Sequence, residues 1–128
     1  MPWTPMTAAD LVRFLECPVE EHCVVYLRRQ MCDFCDRQEP VLRRVVDRLG
    51  VTAYLADATD WTRQEHERVE KACFGSRLSF PTTIAAHPDP GYGRWLVGFA
   101  PESVLMPFIE DWSWGEGQAP EAPGTPSP

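Results

Sequence analysis

Residues 23–35, Cys23-Val24-Val25-Tyr26-Leu27-Arg28-Arg29-Gln30-Met31-Cys32-Asp33-Phe34-Cys35, place an apolar run just ahead of two cysteines spaced i, i+3. The run from Cys23 to Leu27 has the continuous hydrophobicity of a strand covered on both faces. After the cysteines, Val41, Leu42, Val45, Val46 and Leu49 recur at helical period, and Gly50 is a natural C-cap. Two thiols one turn apart at the head of a helix share a face, close enough to bridge. The helix start offers unpaired N–H groups and a partial positive charge, so the first thiol can ionise below its free value. Strand, CxxC, helix therefore describes a dithiol able to attack a disulfide and then resolve the mixed disulfide.

The rest of the chain arranges itself around this unit. Thr7-Ala8-Ala9-Asp10 resembles a capping box ahead of Leu11, Val12, Phe14 and Leu15, predicting a first helix that ends near Cys17-Pro18. Pro40 falls inside the helix that follows the cysteines and is expected to kink it. Val51 to Ala56 reads as a second strand, and Thr62-Arg63-Gln64-Glu65 boxes a charged helix running to about Phe74, with Gly75 as its stop. Thr82 to Ala86 and Arg94 to Phe99 flank the turn cluster His87-Pro88-Asp89-Pro90-Gly91 as a hairpin. Glu102 to Trp112 predicts a last helix, with Pro107 tolerated only if it falls in or near the first turn.

This order predicts an α/β fold, a small mixed sheet with helices on both faces and an extra N-terminal helix. At 128 residues and 44% hydrophobic, the chain can bury one core and not two. One domain is expected over residues 1–114. Residues 115–128 are Pro/Gly-rich and nearly without apolar bulk, the composition of a disordered tail. A net charge of −7, with Lys71 the only lysine, argues against nucleic acid as a partner. No apolar run approaches the ~18 residues of a membrane span, and Met1-Pro2-Trp3-Thr4-Pro5 shows no basic n-region followed by an apolar h-region, so a cytoplasmic location is expected; a monomer is expected as well. In a reducing compartment, five cysteines are not expected to build a structural disulfide framework.

From Val24 to Trp112 the chain resembles the thioredoxin family through four marks in register. These are the CxxC after a central strand, Pro40 five residues beyond Cys35, the triplet Phe80-Pro81-Thr82 opening the hairpin, and Gly98 after it. The resemblance implies a thioredoxin fold and a cis Pro81 packed beside the thiols, with Phe80 and Thr82 bordering a substrate groove. It also implies disulfide exchange with a protein or a low-molecular-weight thiol, electrons from a reductase or thiol, and no cofactor. Departures are equally visible. The motif dipeptide is Asp33-Phe34 rather than Gly-Pro or Pro-Tyr, and Met31 stands in the usual tryptophan position. Tyr26 replaces the buried aspartate that moves the second cysteine's proton, and a phenol ionising near ~10 is a poor base.

On this reading Cys32 is the nucleophile, Cys35 resolves, and Phe34 supplies apolar surface for a substrate. Arg28 and Arg29 add positive potential, while the Asp33 carboxylate opposes ionisation of the thiol. Zinc would need a second ligand pair, for which only Cys17, Cys23, Cys73, His22, His66 and His87 are on offer, without a second CxxC or an HxxxH. Cys23 and Cys73 read as small core residues and Cys17 as an exposed one. Two other functions remain open. One is a redox-inactive scaffold of the same fold, favoured by Met31, Tyr26 and the Asp33-Phe34 dipeptide. The other is a glutaredoxin-like enzyme, favoured by the aromatic before Cys35. It is opposed by Pro40 and the extra N-terminal helix, which look more like thioredoxin, and by Phe99-Ala100-Pro101-Glu102, which lacks a Gly/Asp-rich glutathione pattern.

Overall fold

The computed structural model describes residues 3–73, 77–89 and 92–111. The tail expected over 115–128, Trp112, and the Phe74-Gly75 helix stop lie outside these residues. In chain order the elements are β1 (Thr4–Pro5), α1 (Ala8–Glu16), β2 (Cys23–Arg28), α2 (Asp33–Leu49), β3 (Thr52–Asp57), α3 (Arg63–Ala72), β4 (Thr82–His87), β5 (Tyr92–Val97) and α4 (Glu102–Glu110). The sheet order is β1-β3-β2-β4-β5. β1, β3 and β2 run parallel, and β4 and β5 are antiparallel to their neighbours. This is the mixed sheet flanked by helices that the sequence order predicts, with the N-terminal helix in place.

Strand alternation divides the core. Val24 and Tyr26 face a cluster with Leu42, Val45, Leu105 and Phe108 from α2 and α4. Val25 and Leu27 point the other way, to Leu11 and Val12 of α1 and Val69 of α3. Successive β-residues project to opposite faces, so an uninterrupted apolar β2 serves both layers. Both capping boxes are formed, Thr7 with Asp10 and Thr62 with Glu65. Gly50 closes α2 at φ +67°, in the left-handed region that a glycine C-cap adopts without penalty.

Four details depart from the expectations. Nothing in the local sequence marks β1; its two residues are too short to show alternation, and Pro5 is tolerated because β1 is an edge strand. β5 ends at Val97 rather than Phe99, since Gly98 turns to φ +88° and donates its N–H to the Pro81 carbonyl at 2.8 Å. Pro107 sits past the first turn of α4, not within it. Its missing N–H removes the bond to the Ser103 carbonyl, yet the helix continues to Glu110 because Leu105, Phe108 and Ile109 are fully buried. In the same way α2 runs unbroken through Pro40, carried by buried Leu42 and Val45.

Candidate redox site

The site assembles where β2 hands over to α2. Cys32 is the N-cap of α2, with extended backbone, and its Sγ accepts the Cys35 N–H at 3.2 Å. Cys32 and Cys35 are joined as a disulfide with Cα atoms 5.2 Å apart, a separation ordinary for such bonds. The two sulfurs differ in access: Cys35 is fully buried, whereas Cys32 is partly exposed. An outside thiol or disulfide therefore meets Cys32 first. The N-cap position also aims a backbone donor at its sulfur, which favours a thiolate there once the bond is reduced. Asp33 and Asp36, both exposed in the first turn of α2, oppose that effect.

Beneath the pair lies Tyr26, fully buried, with its hydroxyl donating to the Cys35 carbonyl at 2.6 Å. Burial drives the Tyr26 phenol well above its ordinary pKa, the Arg28 charge only partly offsetting this. Tyr26 is thus a strut holding the first turn of α2 and not a proton acceptor. Arg28 does not lend its charge to the thiols. Its guanidinium is paired with Glu39 at 3.0 Å, Asp36 at 3.3 Å and Asp57 at 3.8 Å.

The hairpin supplies the facing wall. Leu27 is opposite Thr82 in the β2–β4 ladder, so Pro81 and Phe80 extend alongside the segment that leads to Cys32. The Phe80–Pro81 peptide is cis. Pro81 is buried, and Thr82, also buried, donates its hydroxyl to the Ser79 carbonyl at 2.6 Å, closing the loop across that peptide. The Arg29 guanidinium carbon lies 5.2 Å from the Phe80 ring centroid, which brings the hairpin into contact with the loop preceding Cys32. Around the rim, Met31 is fully exposed at φ +55° and Phe34 is 57% exposed, an unusual density of accessible apolar surface beside a disulfide.

Two residues escaped the sequence reading. Gln38 is fully buried and clamps Ala100, donating to its carbonyl at 3.0 Å and accepting its N–H at 2.6 Å. A signal existed, because Gln38 lies one turn before Leu42 on the apolar stripe. Arg29 read as generic positive charge; its contact with Phe80 is tertiary and leaves no trace in local sequence. Cys23 and Cys73 are buried free thiols and Cys17 is exposed, as their contexts suggest. Among the described residues no group of three or more His, Cys, Asp or Glu side chains is placed to hold a metal ion. None of the described helices is long and apolar enough to cross a membrane.

No protein-family model and no curated protein sequence matches the chain. Solved structures do. Chloroplastic thioredoxin z superposes with a TM-score of 0.61 at 16% identity, over 85% of this chain and 92% of that one. Mitochondrial thioredoxin 3 from Saccharomyces cerevisiae, in its oxidized form, gives 0.62 at 17% identity, over 85% and 94%. Fasciola hepatica thioredoxin gives 0.58 at 20% identity, over 83% and 95%. The chain has the thioredoxin fold.

Proposed function

We propose that the protein is a thiol–disulfide oxidoreductase whose working group is the Cys32–Cys35 pair. The observation that carries this reading is an asymmetric disulfide at a helix N-terminus, with one sulfur accessible and hydrogen-bonded and the other buried behind it. In the reduced protein, the Cys32 thiolate attacks a substrate disulfide, forming a mixed disulfide and expelling one substrate thiolate, which takes up a proton. Cys35 then loses its proton and attacks Cys32 Sγ. This forms the Cys32–Cys35 bond, releases the second substrate thiol, and completes the passage of two electrons from protein to substrate. A low-molecular-weight thiol or a reductase returns the pair to the dithiol.

Phe34, Phe80, Pro81 and Thr82 border the groove in this reading. Phe34 and Phe80 offer apolar surface, and Pro81 and Thr82 shape its floor through the Ser79 hydrogen bond and the cis peptide. The domain spans residues 1–114, acts as a monomer in the cytoplasm, and carries the 115–128 segment as a tail. The fold and the bonded cysteine pair support this assignment; substrate and donor are part of the proposal. Replacing Cys32 by Ser is expected to abolish reduction of a disulfide substrate. Replacing Cys35 by Ser is expected to trap a mixed disulfide at Cys32, seen as added mass on the intact protein. Full activity in the Cys32→Ser variant would refute the assignment.

A second reading, a redox-silent scaffold of the same fold, draws on Tyr26. With its hydroxyl committed to the Cys35 carbonyl, the side chain beneath the pair accepts no proton from Cys35. A scaffold would keep the pair oxidised and indifferent to added thiol.

A further inference from the structure

At the end of β2 away from the Cys32–Cys35 bond, a cavity of about 350 Å³ has Phe14, Cys17, Pro18, Val19, Cys23 and Tyr54 in its wall. Two of these are free thiols of opposite access, Cys17 exposed and Cys23 buried. Their meeting follows from the strand pleat. Val25 and Leu27 face the layer built by α1 and α3, and Cys23, two residues earlier, projects to the same side. α1 lies on this face through Leu11 and Val12, and Cys17 is its C-cap.

The two thiols are held unequally. Cys23 is fixed in β2 between Thr52 of β3 and Ala86 of β4. At 1% exposure it is closed to outside reagents, and burial, with the Glu21 charge in support, pushes its thiol up to about 12. Cys17 opens a connector, residues 18–22, that belongs to no helix or strand. Side chains anchor this connector: the Tyr54 hydroxyl donates to Glu21 at 2.5 Å, and His22 Nε2 donates to the Ile109 carbonyl at 2.8 Å. A disulfide needs Cα atoms within about 7 Å, and a connector outside the sheet and the helices lets Cys17 settle onto Cys23. Asp10, Glu20 and Glu21 line the same cavity, and Arg13, its one cation among the described residues, is paired with Asp10. The excess of carboxylates favours a cationic visitor.

We infer that Cys17 and Cys23 form a second exchange site, in which exposed Cys17 reacts with a cationic low-molecular-weight disulfide and Cys23 closes an intrachain bond beneath it. The Cys17 thiolate attacks one sulfur of the small disulfide, forming a mixed disulfide and releasing one thiolate, which takes a proton from solvent. Cys23 then gives its proton to solvent and attacks the Cys17 sulfur. The Cys17–Cys23 bond forms and the second small thiol leaves, so two protein thiols are oxidised and one disulfide is reduced to two thiols. The site works apart from Cys32 and Cys35. Cys23 and Arg28, the two ends of β2, are about 17 Å apart, and Cys32 lies beyond Arg28, so the pairs do not exchange within one molecule.

The test treats the full chain, with its Cys32–Cys35 bond intact, with cystamine or with glutathione disulfide at pH 8. Samples are acid-quenched over time and digested with trypsin. Cleavage after Arg13 and Arg28 releases residues 14–28 as one peptide carrying both cysteines. The expected course is a transient cysteamine adduct on this peptide, followed by the unmodified peptide lighter by two hydrogens. Cystamine should react several-fold faster than anionic glutathione disulfide. Cys23→Ala should stop the course at the Cys17 adduct, and Cys17→Ser should leave Cys23 reduced in the folded protein. The time course of the unsubstituted chain stands by itself if Cys23→Ala does not fold. A Cys17 adduct that persists in the unsubstituted chain would overturn the inference. So would a bond from either cysteine to Cys73 or to a second chain, or a Cys17–Cys23 bond that forms only in urea. Glutathione disulfide reacting as fast as cystamine would overturn the assignment of a cationic partner.

Discussion

Cys35 and Cys32 differ by one turn of helix and by almost everything that governs thiol chemistry. Cys35, in the first turn of α2, is fully buried and tied through its carbonyl to Tyr26, while Cys32 takes a backbone donor at the rim. The remaining cysteines form a useful contrast. Burial, with the nearby Glu21 charge in support, pushes the Cys23 thiol up to about 12, and burial likewise raises Cys73 beside Glu70. At pH 8 both stay protonated and shielded, hence unreactive. Iodoacetamide labelling of the native oxidised protein is expected to modify Cys17 alone. After mild reduction it should add Cys32, and all five cysteines should react only once the protein is unfolded. Rapid native labelling of Cys35 or Cys23 would contradict the burial on which the division of roles depends.

At the scale of elements, α2 is held to the rest of the molecule at both ends of its first half. Tyr26 grips the first turn from β2, and Gln38 clamps the Ala100 backbone beyond the hairpin. Replacing Gln38 by Ala leaves a buried N–H and a buried C=O without partners. It is expected to cost about 2–4 kcal/mol, read from the shift in urea midpoint, because unmet buried polar groups bear their full desolvation penalty. A loss below about 0.5 kcal/mol would show that the clamp is not structural.

Elements of this kind also mark what sequence does and does not disclose. The capping boxes at Thr7 and Thr62, the Gly50 stop and the apolar β2 were legible because each is a local rule acting over a few residues. β1 was not, since Thr4-Pro5 becomes a strand only by lying against Tyr54 and Leu55. The cysteine pair was legible for the same local reason. The Arg29–Phe80 contact was not, because it joins loops separated in sequence and needs the β2–β4 register to exist.

For the whole molecule, two apolar layers meet on one sheet, and the parallel β2–β3 pair leaves its C-terminal edge open for the start of α2. That edge gathers the disulfide, the cis Phe80–Pro81 peptide, exposed Met31 and Phe34, and the Arg29–Phe80 contact. The proposed redox function draws its working parts from this one edge. The most direct measurement is equilibration of the purified protein in mixed reduced and oxidised glutathione, with the Cys32–Cys35 state read by acid quench and thiol labelling. A single reversible two-electron transition is expected within the range of cellular glutathione ratios, and it should vanish in Cys32→Ser. A pair that remains oxidised, or remains reduced, at every ratio tested would contradict the redox function.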